Sequence, residues 1–85
     1  MDIVQGKEMN PKIFAERLNQ ELDHMDFPTK MDERIDAFSK FMDIQRFKAE
    51  SFLNGAAIPD AELLARLAED LEVEVKWLTG ESASP

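Results

Sequence analysis

The strongest constraint on this chain is a short break between two apolar stripes. Apolar residues keep helical spacing from Ile35 through Phe38 to Met42, and they resume it at Ala49, Phe52 and Leu53. Asp43 and Ile44 stand between the two stripes and fit neither. Two helices joined by so short a connection must turn sharply against each other. Glycine suits such a turn best because it adopts a left-handed backbone freely, and Asp is among the few other residues that tolerate it. Asn54-Gly55 then stops the second helix with a left-handed residue.

The rest of the chain keeps the same helical spacing. There is no Tyr and no sustained alternation of apolar and polar residues, so no strand is expected. Asn10-Pro11 starts a first helix, with Asn as the cap and Pro at the first helical position. Phe14, Leu18, Leu22 and Met25 form its inward stripe, and Phe27-Pro28 ends it. Thr29-Lys30-Met31-Asp32 reads as the cap of a second helix, with Asp32 as the reciprocal member of a capping box. Met31, Ile35, Phe38 and Met42 face inward there, with Phe41 beside them. A third helix is expected over Gln45 to Leu53. A fourth opens at Pro59-Asp60 and carries Leu63, Leu64, Leu67 and Leu71. Val73 and Val75 flank a break before a last turn, "VKWLTG", ending at Gly80. The expected fold is all-α, a compact five-helix bundle over residues 10–80. Residues 1–9 read as a mobile arm or an extra turn, and 81–85 as a frayed tail.

Composition narrows the function classes. The chain has 85 residues, enough for one small domain that buries roughly 60–65% of its unfolded surface. No apolar run approaches the length of a membrane span, and the N-terminus lacks the basic start and apolar stretch of a signal peptide. The absence of Cys removes thiol chemistry and thiolate metal sites and fits a cytoplasmic setting. His24 is a lone histidine at the end of the first helix, where it suits the helix dipole rather than a metal. The adjacent pairs Asp32/Glu33 and Glu69/Asp70 point about 100° apart on a helix and read as solvated faces. No nucleophile-base pair, phosphate loop or cofactor motif is present, so neither enzyme activity nor a cofactor is expected. The formal charge is −8, yet it is unevenly spread. Residues 1–29 carry a balance of −3, residues 30–48 one of +1, and residues 49–85 one of −6.

The non-acidic middle coincides with the two helices around the break. If Ile44, Ala49 and Phe52 face inward, then Arg46, Phe47, Glu50 and Ser51 lie outward on the second helix of the pair. That is the arrangement of a helix-turn-helix, whose outward face enters a major groove. Arg46 can bond guanine through both arms of its guanidinium, or pair internally with Glu50 four residues on. Glu50 can accept from the cytosine amino group or repel phosphates. Phe47 can touch a thymine methyl, anchor a protein partner, or fold back on the bundle. Lys30, Arg34, Lys40 and Lys48 are candidate phosphate contacts.

In order and spacing, "FAERLNQELD", "RIDAFSKFMDI", "QRFKAESFLNG" and "PDAELLARLAEDLEVEVKWLTGE" resemble the Xre/Cro-type helix-turn-helix domains of lambda-like phage and prophage repressors. The resemblance spans about residues 13–80. It implies a lambda-repressor-like bundle that binds double-stranded operator DNA, often as a dimer on palindromic half-sites. It also implies a backbone contact from Asn54 and a core role for Trp77. The chain departs from the family pattern at several positions. Asp43 and Glu72 stand where relatives usually have Gly, Glu74 where they often have Ser, and Ile35 where Gln is common. Glu50 and Ser51 replace residues that are basic in many close relatives.

Two functions are therefore expected in competition. In the first, the chain is a transcriptional regulator. Gln45 and Arg46 read bases with support from Phe47 and Ser51, Glu50 shares their face, and Lys40, Lys48 and Asn54 hold phosphates. Val75, Lys76 and Leu78 then form a homodimer surface. In the second, the same outward face, centred on Phe47 and Glu50, docks a protein with a basic surface.

Overall fold

Asn10 caps the first helix as the sequence predicts. Its side-chain oxygen accepts the backbone N–H groups of Lys12 at 2.9 Å and Ile13 at 3.2 Å. In this computed structural model, residues 10–84 are described. The arm or extra turn expected for residues 1–9 lies outside them. Five helices follow: α1 (Pro11–His24), α2 (Met31–Met42), α3 (Arg46–Leu53), α4 (Ala61–Leu71) and α5 (Val75–Thr79). No strand occurs among the described residues. None of these helices is long and apolar enough to cross a membrane.

Helix α1 is the spine of the bundle, lying against both α3 and α5, while α2 packs on α3 and α4 on α5. Phe14, Leu18 and Leu22 of α1 are fully buried. They meet Ile35, Phe38 and Met42 from α2, Ala49, Phe52 and Leu53 from α3, Leu64, Leu67 and Leu71 from α4, and Trp77 and Leu78 from α5. The rings of Phe14 and Phe52 meet edge to face at 6.4 Å, a favoured aromatic geometry.

Two members of the expected stripes lie outside. Met25 caps α1 instead of continuing it, because Asp26 turns left-handed (φ 61°) and the Phe27 N–H bonds back to the Leu22 carbonyl. Met31 is 44% exposed, since it opens α2 beyond the edge of the core. The expected capping box also does not form. The cap of α2 is Lys30, with no side-chain bond, so Thr29 sits one residue too early. Asp32 points instead toward α3.

The connection between α2 and α3 is Asp43, Ile44 and Gln45. Asp43 adopts φ 57° and ψ 53°, the left-handed conformation its position requires. The Ile44 N–H then donates to the Ser39 carbonyl at 2.9 Å, closing the end of α2. Ser39 is itself buried, and its small side chain bonds back to the Asp36 carbonyl. Gln45 is extended and caps α3, so that helix starts one residue later than the spacing predicts.

Three arginines fasten the bundle from its margins. Arg17 lies 4.0 Å over the Trp77 ring and donates to the carbonyls of Trp77 at 2.7 Å and Ser82 at 2.6 Å. The expected fraying of 81–85 is therefore corrected at its start, because Glu81 and Ser82 also donate their N–H groups to the Lys76 carbonyl. Arg66 of α4 donates to the Met42 carbonyl at the end of α2. The third, Arg34, is described below. Gly80 has φ 90°, and a side chain there would press on Ile13 at 3.0 Å, so α1 and α5 approach closely at this glycine.

Glu72 also holds a left-handed backbone, with φ 60°. A Cβ in that region costs roughly 1–2 kcal/mol, partly offset by the greater unfolded-state freedom of glycine. Glu72→Gly is therefore expected to raise stability by roughly 0.5–1 kcal/mol, read as a higher urea midpoint with an unchanged slope.

Candidate nucleic-acid interface

Helix α3 is anchored by Ala49, Phe52 and Leu53, all buried. At about 100° per residue, the direction opposite these three is centred on Phe47, with Glu50, Ser51 and Asn54 around it. Arg46 and Lys48 occupy the two flanks. Phe47 is 63% exposed, which excludes the expectation that it folds back on the bundle. Glu50, Asn54, Lys48 and Gln45 are exposed as well. Ser51 is half-buried, and its hydroxyl donates to the Phe47 carbonyl at 3.0 Å. Asn54 uses its side-chain oxygen to accept the Ala56 N–H at 3.1 Å, leaving its amide nitrogen for an outside acceptor.

Arg46 does not pair with Glu50. As the first residue of α3 its side chain leans back over the turn, as helical side chains do at that position. It meets α2, where Nη2 lies 3.2 Å from an Asp32 oxygen and Nη1 lies 3.8 Å from Asp36. Lys40 bonds the other Asp36 oxygen at 3.2 Å. The result is a string of four alternating charges, Asp32–Arg46–Asp36–Lys40, across the surfaces of two helices. Every member is about half exposed or more, so each pair contributes about 0.2–1 kcal/mol. A bidentate contact to guanine contributes about 1–3 kcal/mol of discrimination, enough to exchange Arg46 out of such a pair.

Arg34 is not a phosphate contact. It is 4% exposed, and its guanidinium makes four hydrogen bonds within the chain. Nε donates to the Pro28 carbonyl at 2.7 Å, Nη1 to the carbonyl and side-chain oxygen of Asn19 at 3.1 Å each, and Nη2 to Asp23. It ties the start of α2 to α1 and to the loop between them. Lys30 and Lys48 are exposed and make no ion pair among the described residues, so both remain available. Leu78 is likewise removed from the expected dimer surface, because it is fully buried in the core. Val75 is half-buried and Lys76 exposed, so these two are what α5 offers outward.

The sequence reading missed Asp32 and Asp36 as members of this surface. Their spacing of four, continued by Lys40, puts all three on one face of α2, a signal that was present. Which neighbour that face meets is decided by the α2–α3 packing. Among the described residues, no group of His, Cys, Asp and Glu is placed to hold a metal ion. No protein-family model matches the chain, and no curated protein or solved structure gives a significant match.

Removing one partner from a buried, multiply bonded charge is costly, although the exposure of Asp23 moderates the effect here. Arg34→Ala is expected to lower stability by roughly 2–3 kcal/mol, whereas Lys48→Ala should change it by less than about 0.5 kcal/mol. Chemical denaturation followed by circular dichroism checks both.

Proposed function

We propose that α2, the Asp43–Gln45 turn and α3 form a helix-turn-helix, and that the chain is a DNA-binding transcriptional regulator of the phage-repressor type. One observation carries this reading. A three-residue turn with a left-handed first residue presents α3 with its apolar side locked into the core and its opposite side open. That is the presentation a major-groove helix needs. Gln45 and Arg46 stand at the leading end, where base edges are met. Phe47 offers a thymine-methyl contact, and Glu50 can accept from a cytosine amino group. Lys48 and Lys30 supply phosphate contacts, with Lys40 and the amide nitrogen of Asn54 beside them.

The electrostatics set the strength. Affinity for DNA rests largely on neutralised phosphates, and here two of the four exposed bases in this region are already paired to acids. One module therefore binds weakly, and two half-sites read by a dimer supply the missing affinity through effective concentration. Exposed Lys76 and half-buried Val75 are what remains of the expected dimer surface.

A second reading is favoured by a specific observation, the 63% exposure of Phe47 beside a charge-balanced Arg46. A large aromatic side chain in the middle of an open face is a typical protein-interface anchor. In this reading the face docks a partner with a basic surface, with Glu50 contributing the complementary charge.

Selection of bound duplexes from a random library, followed by anisotropy titrations across salt, separates the two. The regulator is expected to enrich a site with two related halves. Its log-affinity should fall linearly with log salt, and the slope should shrink by roughly one in Lys48→Ala. No enrichment even at low salt would overturn DNA recognition. Retention of a basic protein partner by wild type but not by Phe47→Ala would establish the second reading in its place.

A further inference from the structure

We infer that Asp32 and Asp36 belong to the recognition surface as a carboxylate brake on Arg46, setting how strongly and with what salt dependence α3 engages a polyanion. This rests on the DNA-binding reading above and deepens it. Arg46 is the one arginine of α3 and lies on its flank, and both terminal nitrogens of its guanidinium face α2 carboxylates, Asp32 at 3.2 Å and Asp36 at 3.8 Å. The charge that a guanine or a phosphate would need is therefore already engaged, by one hydrogen bond to Asp32 and by the close Asp36 carboxylate. Asp36 simultaneously holds Lys40 at 3.2 Å, so the second base of this edge is engaged through the same carboxylate.

The consequence is specific to this edge. A base already neutralised within the protein is not free to neutralise a phosphate, so it displaces few of the cations condensed on DNA and contributes little to the counterion release that drives binding. To contact DNA, Arg46 must leave two carboxylates, and those carboxylates then stand unpaired beside phosphates of like charge. Binding is held low until a contact forms that is strong enough to exchange Arg46 out of its pairs. The same acids would act on Arg46 against any polyanion, regardless of base sequence.

The test compares four proteins on one random-sequence duplex. They are wild type, Asp32→Asn/Asp36→Asn, the same double change with Arg46→Gln added, and Glu69→Gln/Asp70→Asn. The last neutralises two acids on α4, with the same change in net charge. Asp32→Asn/Asp36→Asn is expected to tighten binding roughly tenfold at low salt and to steepen the salt slope by about one to two, as Arg46 and Lys40 become free to neutralise phosphates. Addition of Arg46→Gln should remove most of that gain, and the α4 variant should show much less of it. Equal gain in the α4 variant would assign the effect to bulk charge and overturn the brake. So would an unchanged affinity and slope in Asp32→Asn/Asp36→Asn while wild type binds, or a gain that survives Arg46→Gln. Those three results would leave the DNA reading standing. If wild type and the Asn variant both fail to bind at low salt, the DNA reading itself falls, and the brake falls with it.

Discussion

Asp43 holds the left-handed backbone that lets α2 stop and α3 begin within three residues, and the geometry of the candidate surface depends on it. The turn fixes where α3 starts, and that start makes Arg46 the first helical residue. A first-turn side chain leans toward the helix N-terminus, which here means toward α2. The ion pairs to Asp32 and Asp36 follow from that placement. The turn also orients Ala49, Phe52 and Leu53 into the core, so Phe47 must lie outside.

The arginines divide into two kinds of work. Arg17, Arg34 and Arg66 all end on backbone carbonyls and hold the ends of helices or loops together. Only Arg46 is turned to the surface with carboxylates as its partners. This changes the charge picture that the sequence offers. Residues 30–48 carry five bases and four acids, and setting aside the interior Arg34 leaves four of each on the outside. The one stretch that is positive by composition is thus neutral as a surface. With Glu50 of α3 added, a partner meets a slightly acidic surface with a large apolar group in its centre.

Most helices were legible because a bundle this small has one core, and each helix shows that core a single stripe. Phe14, Leu18 and Leu22 declare their face by spacing, and Asn10, Asp60 and Gly80 mark ends by their own chemistry. The misses have a common physical origin. Met25 and Met31 have the right hydropathy and spacing, but they lie past the ends of the surface they would pack against, and periodicity does not know where a neighbour stops. Thr29 and Asp32 have the composition of a capping box, but the helix begins at Met31, so the register is off by one. Leu78 reads as an outward residue because the last helix is too short to show a period, yet it is fully buried. Arg34 read as a free cation because its acceptors, Pro28, Asn19 and Asp23, lie on another helix and a loop. At the candidate site, the outward placement of Phe47 and Glu50 is readable from the register of α3, but that Phe47 stands clear of the bundle is not. The partners of Arg46 were not, since they come from the packing of a second helix.

Phe47 limits what the surface can be. It contributes little to the fold, because most of its ring is in water while Ala49, Phe52 and Leu53 hold the helix. Its contribution is therefore to whatever α3 meets. Against DNA an aromatic ring gains from one methyl contact and gives up little, since base edges are themselves partly apolar. Against a protein the same ring gains much more from a closed pocket. Charge breaks this tie, because phosphates meet Glu50, Asp32 and Asp36 as repulsion, while a basic protein meets them as attraction. On the DNA reading proposed above, base contacts from Arg46 and Gln45 must outweigh that repulsion. In that reading α3 works by sequence discrimination rather than by general attraction to a polyanion, and in the other reading the same acids supply the attraction.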